Sequence, residues 1–271
     1  MTSDALKEQV RAYWDLESCG EVYAAGDDPA ARLAALRRAR YDLEPYIPGF
    51  AGFADGAGRD VLEIGVGMGC DHLRWAESGP RRLTGIDLTD RAIEFTGAHL
   101  ALRGLTSDLR RADAERLPFD DASFDLVYSW GVLHHSPNTP RAIAEVLRVL
   151  RPGGVARVMI YHLRSMTGYM LWARYGLLTG RPWRSFSSIY ESHLESPGTK
   201  AYTRYQAQEM FGGFSEAAIQ IQLNHGDLLL GEVGRRHRGQ LLRLAKLLWP
   251  RWLIRTMFAR HGLYLMISAT K

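Results

Sequence analysis

The run Val61-Leu62-Glu63-Ile64-Gly65-Val66-Gly67-Met68-Gly69-Cys70-Asp71 decides how this chain folds. Val61 to Ile64 is compact, apolar and β-branched, as a short buried strand is, with Glu63 near its C-terminal end. Glycines at 65, 67 and 69 follow, and Asp71 is placed to cap a helix through His72-Leu73-Arg74-Trp75-Ala76. A strand that feeds a glycine turn and then a helix delivers backbone N–H groups to the carboxyl edge of a parallel sheet, where open α/β sheets bind ligands. Glycine suits that turn because it takes φ > 0 and lets a ligand approach bare main chain. Two ligand classes are disfavoured by the spelling. A dinucleotide fingerprint wants glycine at 65, 67 and 70, but position 70 is Cys, and a phosphate loop wants an absent Gly-Lys-Ser/Thr.

The E-x-G-x-G-x-G spelling resembles motif I of class I S-adenosylmethionine (SAM) dependent methyltransferases, and four stretches downstream extend the likeness. Gly85-Ile86-Asp87-Leu88-Thr89 ends a second strand, with Asp87 some twenty residues beyond Gly65. Read on its own, Asp87 either accepts the two hydroxyls of a ribose or caps the helix from Thr89. Arg111 to Phe119 resembles the family segment that closes on the adenine, Ser123 to His135 its fourth strand and following loop, and Val149-Leu150-Arg151-Pro152-Gly153-Gly154 the turn before its fifth. The resemblance implies SAM as cofactor and S-adenosylhomocysteine as product. It implies cofactor contacts at Glu63, Gly65, Gly67, Gly69, Asp87, Leu88, Asp113, Ala114, Ser129 and Trp130, with Asp113 accepting from the adenine amine. It also implies a Rossmann-like α/β fold, a seven-stranded, mostly parallel sheet with an antiparallel last strand, a helical N-terminal cap and two insertions.

The composition agrees. A chain of 271 residues suits one α/β domain with additions, able to bury about 70–75% of its unfolded surface. The net charge of +4 is modest and no nucleic-acid-binding module is spelled, so no nucleic-acid partner is expected. Cys19 and Cys70 do not suggest a disulfide framework, which makes a reducing cytoplasm the default expectation. Neither a secretory leader nor an apolar run of about eighteen residues is visible.

Residues 1–58 read as the cap, with a helix carrying Tyr13 and Trp14 and a second from about Ala30 to Tyr46 after a break at Gly26-Asp27-Asp28-Pro29. In the family such a helix folds over the cofactor, so Tyr13 and Trp14 are either its lid or core aromatics. Residues 59–160 alternate strands (60–64, 82–86, 107–111, 124–129, 155–160) with helices (71–78, 89–103, 138–150), the pattern of a parallel sheet with right-handed crossovers. Residues 161–214 form an acceptor-side insertion rich in Tyr, Trp and Phe, which either line a pocket or pack the insertion onto the sheet. Glu195-Ser196-Pro197-Gly198-Thr199-Lys200 within it reads as a loop over the site.

Residues 215–271 hold the last two strands, 218–223 and 263–269, around a basic helical insertion at about 226–260. From Arg235 to Arg260 it has eight Arg or Lys and no acid, interleaved with Leu and Trp, and Pro250 divides it into two helices. Such a pair can lie on an anionic membrane as a peripheral contact, cover the pocket, or form a homodimer contact.

Methyl transfer from a sulfonium is an in-line displacement that needs a positioned, unprotonated acceptor and no water. A phenol, alcohol or carbon acid gains from a base; an amine need not. His134 and His135 after the fourth strand and Tyr161-His162 at the end of the fifth are the candidates. No metal is expected, because no carboxylate or thiolate neighbours the histidine pair in sequence. The expected activity is methylation of O, N or C on a small, partly apolar or aromatic acceptor; the alternative is a SAM-fold protein that binds the cofactor without transferring methyl.

Overall fold

The computed structural model describes residues 3–16, 18, 20–230 and 249–271. Seven strands form one sheet: β1 (Asp60–Ile64), β2 (Arg82–Asp87), β3 (Asp108–Arg111), β4 (Phe124–Trp130), β5 (Leu150–Tyr161), β6 (Glu216–Gln222) and β7 (Tyr264–Thr270). Their order is β3-β2-β1-β4-β5-β7-β6. The pairs from β3 through β5 are parallel, while β7 runs antiparallel to both β5 and β6. The chain reverses direction across the sheet between β1 and β4, the kind of switch point at which open α/β sheets take ligands.

Strand alternation sorts the core onto two faces. Leu62, Ile64, Val127, Val158 and Ile160 pack with Ala142, Ile143, Val146 and Val149 of helix α6 (Thr139–Val149). Val61, Leu126, Tyr128, Trp130, Met159 and Tyr161 face the other way, against Trp75 and the N-terminal cap residues Ile47, Ala51 and Phe53. Burying a side chain of this size contributes about 1.5–3 kcal/mol. The same alternation aims Trp130 and Tyr161 toward the cap, where the cavity lies.

The cap comprises α1 (Ser3–Leu16), α2 (Pro29–Leu43) and the short α3 (Ile47–Ala51). Asp28 caps α2, accepting from Ala31 N, with Pro29 at the first turn. The second helix stops at Leu43 rather than running to Tyr46, because Glu44 leaves helical geometry and Pro48 cannot donate a helical hydrogen bond. Helix α4 (Cys70–Glu77) corrects a second expectation: Gly69, in left-handed geometry, occupies the N-cap position, and Asp71 lies inside the first turn with its carboxylate engaged elsewhere. Thr89, not Asp87, caps α5 (Asp90–Ala101), its side chain accepting from Ala92 N.

After β5 come α7 (Met166–Tyr175), α8 (Phe186–His193) and α9 (Arg204–Met210). Most rings of this insertion pack on each other. Tyr169 and Trp172 meet Phe186, Tyr175 stacks on His193, and Tyr190 is fully buried, while Trp183 and Tyr205 stand in solvent. Of the basic insertion, residues 231–248 lie outside the described ones, so the first helix expected before Pro250 does too. The second is α10 (Arg251–Met257), which buries Ile254 and exposes Trp252 and Met257. No helix among the described residues is long and apolar enough to cross a membrane.

Candidate active site

A cavity of about 470 Å³ opens at the carboxyl edge of the sheet, between the cap, the glycine turn and the segments after β5 and β6. That is within the range of small-molecule sites.

Its first end is made of main chain. Gly65, Gly67 and Gly69 have φ of 84°, 50° and 75°, conformations that side chains resist. At Gly65 the turn also runs against β4's loop, and a Cβ there would stand 2.1 Å from Val132 Cγ2. At Gly67 a Cβ would meet nothing within 4 Å, so bare backbone faces open space. The half-buried Asp87 holds this turn from the end of β2. Its Oδ2 accepts Gly67 N at 3.1 Å, and its Oδ1 accepts Thr89 N at 3.0 Å and Thr89 Oγ1 at 2.9 Å. Burial pushes its carboxyl above the ordinary value, against the pull of those donors. Asp87 is thus not the cap of α5 but the residue that holds the cap, Thr89, in place, and both Asp87 and Leu88 line the cavity.

Glu63 also lines it, buried to 3% exposure and bonded to His72 Nδ1 at 2.9 Å, with His72 Nε2 on Ser107 Oγ at 2.8 Å. Burial drives the His72 pKa down to about 3 and that of Glu63 well up, so the pair braces β1 against α4 with little charge. Asp113 and Ala114 form one wall. Asp113 Oδ2 and Glu115 Oε2 both hold Lys7 Nζ of α1, at 2.7 and 2.8 Å. Burial works against the Lys7 charge, but the two carboxylates outweigh it and raise its pKa. This pairing latches α1 over the cavity, and nothing in sequence spacing signals it. Tyr13 and Trp14 of α1 both line the space, the latter edge-on to His135 at 5.3 Å. Trp130 lines it as well, beside Tyr46 and Tyr264. Ser129 does not: fully buried, it donates to Ile64 O at 3.0 Å and ties β4 to β1.

Beneath Trp130 lies a polar cluster that sequence reasoning missed. Arg40 of α2 donates to Asp71 Oδ2 at 2.7 Å and to Glu44 Oε2 at 2.8 Å. Tyr41 and Tyr128 add hydroxyls to Asp71, and Tyr264 adds its own to Glu44 at 2.5 Å. Burial disfavours the Arg40 charge, but Asp71 and Glu44 more than offset that and hold its pKa well above the ordinary value.

The second end is made of side chains. His135 and Tyr161 line it, as expected, together with Glu195 from the loop after α8. Tyr161 donates to Glu195 Oε2 at 2.9 Å, and His135 Nε2 stands 3.4 Å from the same oxygen. Ser196 and Thr199 reach His135 Nδ1 at 2.9 and 3.1 Å. The loop expected over the site is therefore fastened to it, with Lys200 N donating to His134 O at 3.0 Å as well. Thr167, Leu171, Leu194, Asn224, His225 and Leu263 also line the cavity, His225 with its Nδ1 3.8 Å from Glu44 Oε1. Apart from Tyr161, the aromatics of the insertion do not line it.

Two candidate bases do not reach the cavity. His134 is fully buried behind Tyr161, ring centroids 3.8 Å apart, with both ring nitrogens unbonded. Burial and the neighbouring His135 and Lys200 hold its pKa well below the ordinary value. His162, also buried, bonds through Nδ1 to Gly262 O at 3.0 Å and fastens β5 to the segment before β7. The reason against a metal also changes in space, since Glu195 joins the histidine pair and brings ligand-type atoms of the three within 4.8 Å of one another.

Comparison with known proteins places these features in a family. A methyltransferase-domain family model matches residues 62–158. The phthiotriol/phenolphthiotriol dimycocerosates methyltransferase of Mycobacterium tuberculosis (strain ATCC 25618 / H37Rv) is 44% identical over 102 residues, 37% of this chain and 37% of that protein. The match thus spans little more than a third of such a relative. The 27-O-demethylrifamycin SV methyltransferase of Amycolatopsis mediterranei is 32% identical over 193 residues, 65% of this chain and 71% of its own. The crystal structure of the 4+2 cyclase SpnF superposes with a TM-score of 0.58, covering 98% of this chain and 96% of that one at 17% identity, a likeness of fold. With the sheet order and the glycine turn, the long match to the Amycolatopsis enzyme makes this chain a member of the class I SAM-dependent methyltransferase family.

Proposed function

We propose that the chain transfers the methyl group of SAM to a hydroxyl oxygen of a bulky, largely apolar small molecule. The observation that carries this reading is a single cavity with the glycine turn and Asp87 at one end and His135, Tyr161 and Glu195 at the other. The residues present fit the cofactor. Gly67 leaves the main chain bare, Asp87 keeps a lone pair on Oδ2 for a ribose hydroxyl, and Asp113 and Ala114 offer an adenine wall. The Arg40 cluster sets two carboxylates against one guanidinium, an excess that favours the cationic sulfonium and ammonium of SAM.

When bound, SAM supplies an electrophilic methyl on positively charged sulfur. The chain supplies the rest. The glycine turn and Asp87 fix one end, while Tyr13, Trp14 and Trp130 give apolar cover that excludes water. Leu171, Leu194 and Leu263 offer the acceptor apolar surface, and Asn224 and His225 offer polar anchors. Holding the acceptor oxygen within about 3–3.5 Å of the methyl is worth much of the barrier. A hydroxyl also needs its proton taken, and His135 faces the cavity to do so. The Amycolatopsis relative, named for an oxygen, supports that choice of atom. A use of SAM without methyl transfer is not favoured, since the relatives matched in sequence are named methyltransferases.

The test is incubation of the pure protein with methyl-labelled SAM and an extract of source cells, followed by separation into organic, aqueous and protein fractions. Label in the organic layer, on an ether oxygen by mass spectrometry, is the expected result. Label confined to protein, or on nitrogen, would overturn the acceptor class.

A further inference from the structure

Two hydroxyls of the loop after α8, those of Ser196 and Thr199, bear on the tautomer of His135. Thr199 Oγ1 gives its own hydrogen to Ser196 O at 2.7 Å, so toward His135 Nδ1, 3.1 Å away, it can only accept. Ser196 Oγ stands 2.9 Å from the same nitrogen. With the Ser196 hydrogen turned to Thr199 Oγ1, 3.3 Å away, both oxygens accept from Nδ1, and the neutral ring carries its hydrogen there and leaves the Nε2 lone pair free. Nε2 looks across 3.4 Å at Glu195 Oε2, whose nearer bond comes from the Tyr161 hydroxyl. Both His135 and Glu195 line the cavity. Two proton acceptors thus stand side by side, farther apart than the usual ~2.9–3.0 Å of an N–H···O bond. A third group that brings a hydrogen completes the arrangement.

We propose that this group is the acceptor hydroxyl, and that Glu195 is the second half of a two-part base assembled on His135 by Ser196 and Thr199. The proposal rests on the reading of the chain as an oxygen methyltransferase. The hydroxyl donates between Nε2 and Oε2, which orients its remaining lone pair on the methyl. As the oxygen–methyl bond forms and the sulfur–methyl bond breaks, the sulfur keeps the bonding pair and becomes a neutral thioether. The hydroxyl proton moves to Nε2, and the Glu195 carboxylate balances the imidazolium that results. The loop that carries the carboxylate also touches the helical lid. A Cβ on Gly198 would stand 2.9 Å from Leu6 of α1, so loop and α1 pack closely.

Two measurements test this. Long-range proton–nitrogen correlation spectra of nitrogen-15 histidine-labelled protein, with His135 identified by its loss in His135→Gln, read the tautomer without any acceptor. The Nδ1–H form is expected in the wild type and a mixture in Thr199→Val, a near-isosteric change; an Nε2–H form in the wild type overturns the assembly. The second is label transfer from SAM to the organic extract. Glu195→Gln should lower kcat by about a hundredfold with SAM affinity and KM within a few-fold, and Glu195→Asp should recover part of the loss. An unchanged kcat in Glu195→Gln overturns the proposal. So does activity that a chelator abolishes and a divalent metal restores, since the cluster would then serve a cation. Wild-type protein that binds SAM but labels nothing would count against the methyltransferase reading, while the spectra still decide the tautomer.

Discussion

The two ends of the cavity are built by opposite means. At the end with the glycine turn the exposed groups are main chain, and the residues that set them up are close in sequence: Gly67 meets Asp87 twenty positions away, and Asp87 meets Thr89 two positions on. At the end that holds His135 the groups are side chains brought together across the chain. His135 meets Thr199 over 64 positions and Tyr161 meets Glu195 over 34. A backbone-built site tolerates little change of residue but uses few residues, so it leaves a compact spelling. A site built of side chains on loops can be rewritten one contact at a time.

The largest predicted effect breaks the backbone-built end. Gly65→Ala forces a Cβ to within 2.1 Å of Val132 at a φ of 84°. The strained conformation alone costs about 1–2 kcal/mol, and the clash must move the turn. SAM affinity measured by calorimetry should fall at least about a hundredfold, roughly 3 kcal/mol. Affinity within threefold of wild type would mean that the turn does not hold the cofactor.

Asp227→Asn disturbs the other end by a comparable amount in stability and spares the first. The carboxylate of Asp227 accepts four bonds, from Thr167 N and Oγ1 on one oxygen and from Asn224 N and Leu263 N on the other, at 2.7 to 3.0 Å. Burial pushes its pKa up, yet these donors ask for an acceptor on both sides. An amide presents hydrogens to one pair, which costs about 2–3 kcal/mol. The melting midpoint should drop by several degrees, with SAM affinity within about twofold. Equal loss of SAM binding would show that the ends are not separable.

Asp87→Ala sharpens the first end. Each ribose hydroxyl bond to a carboxylate is worth about 1.5–3 kcal/mol, so SAM affinity should fall at least tenfold with the fold retained. Unchanged affinity would return Asp87 to the turn it braces at Gly67 and Thr89.

This division also explains what could be read from the sequence. The strands, the switch point and the glycine turn follow from local apolar patterning and punctuation, and their bounds agree with the structure to within a few residues, except that β5 begins at Leu150. Asp71 shows the limit. As a helix-start residue it reads as a cap, whereas its carboxylate is claimed by Arg40 from thirty-one positions earlier. Lys7 on Asp113 and Tyr264 on Glu44 are of the same kind, long-range pairings without a local signal. The loop 195–200 was visible as a turn, but its chemistry was not, because Ser196 and Thr199 gain meaning only when folding sets them against His135. The aromatic insertion left two readings open for a related reason, since ring density does not distinguish a pocket wall from packing, and packing is what most of its rings do.

His134 and His135 compress the contrast into two adjacent residues, and pH separates them from the side of stability. His134 is fully buried against Tyr161, with His135 and Lys200 as its charged or titrating neighbours, and its folded-state pKa is depressed by burial. The unfolded chain takes up a proton on this ring as pH falls through about 6.5, while the native state does not. Unfolding therefore binds a proton, and stability is present above that pH and lost below it. From pH 7 to pH 5.5 the loss from one such histidine is about 1 kcal/mol. The buried His72, His99 and His162 have depressed values too and act in the same direction. Chemical denaturation of the wild type should weaken across that window. In His134→Leu, which removes the ring without adding a polar group, the same titration should lose about 1 kcal/mol of its span, with the Nδ1–H tautomer of His135 unchanged. An identical slope in wild type and variant would mean that His134 takes up its proton in the native state.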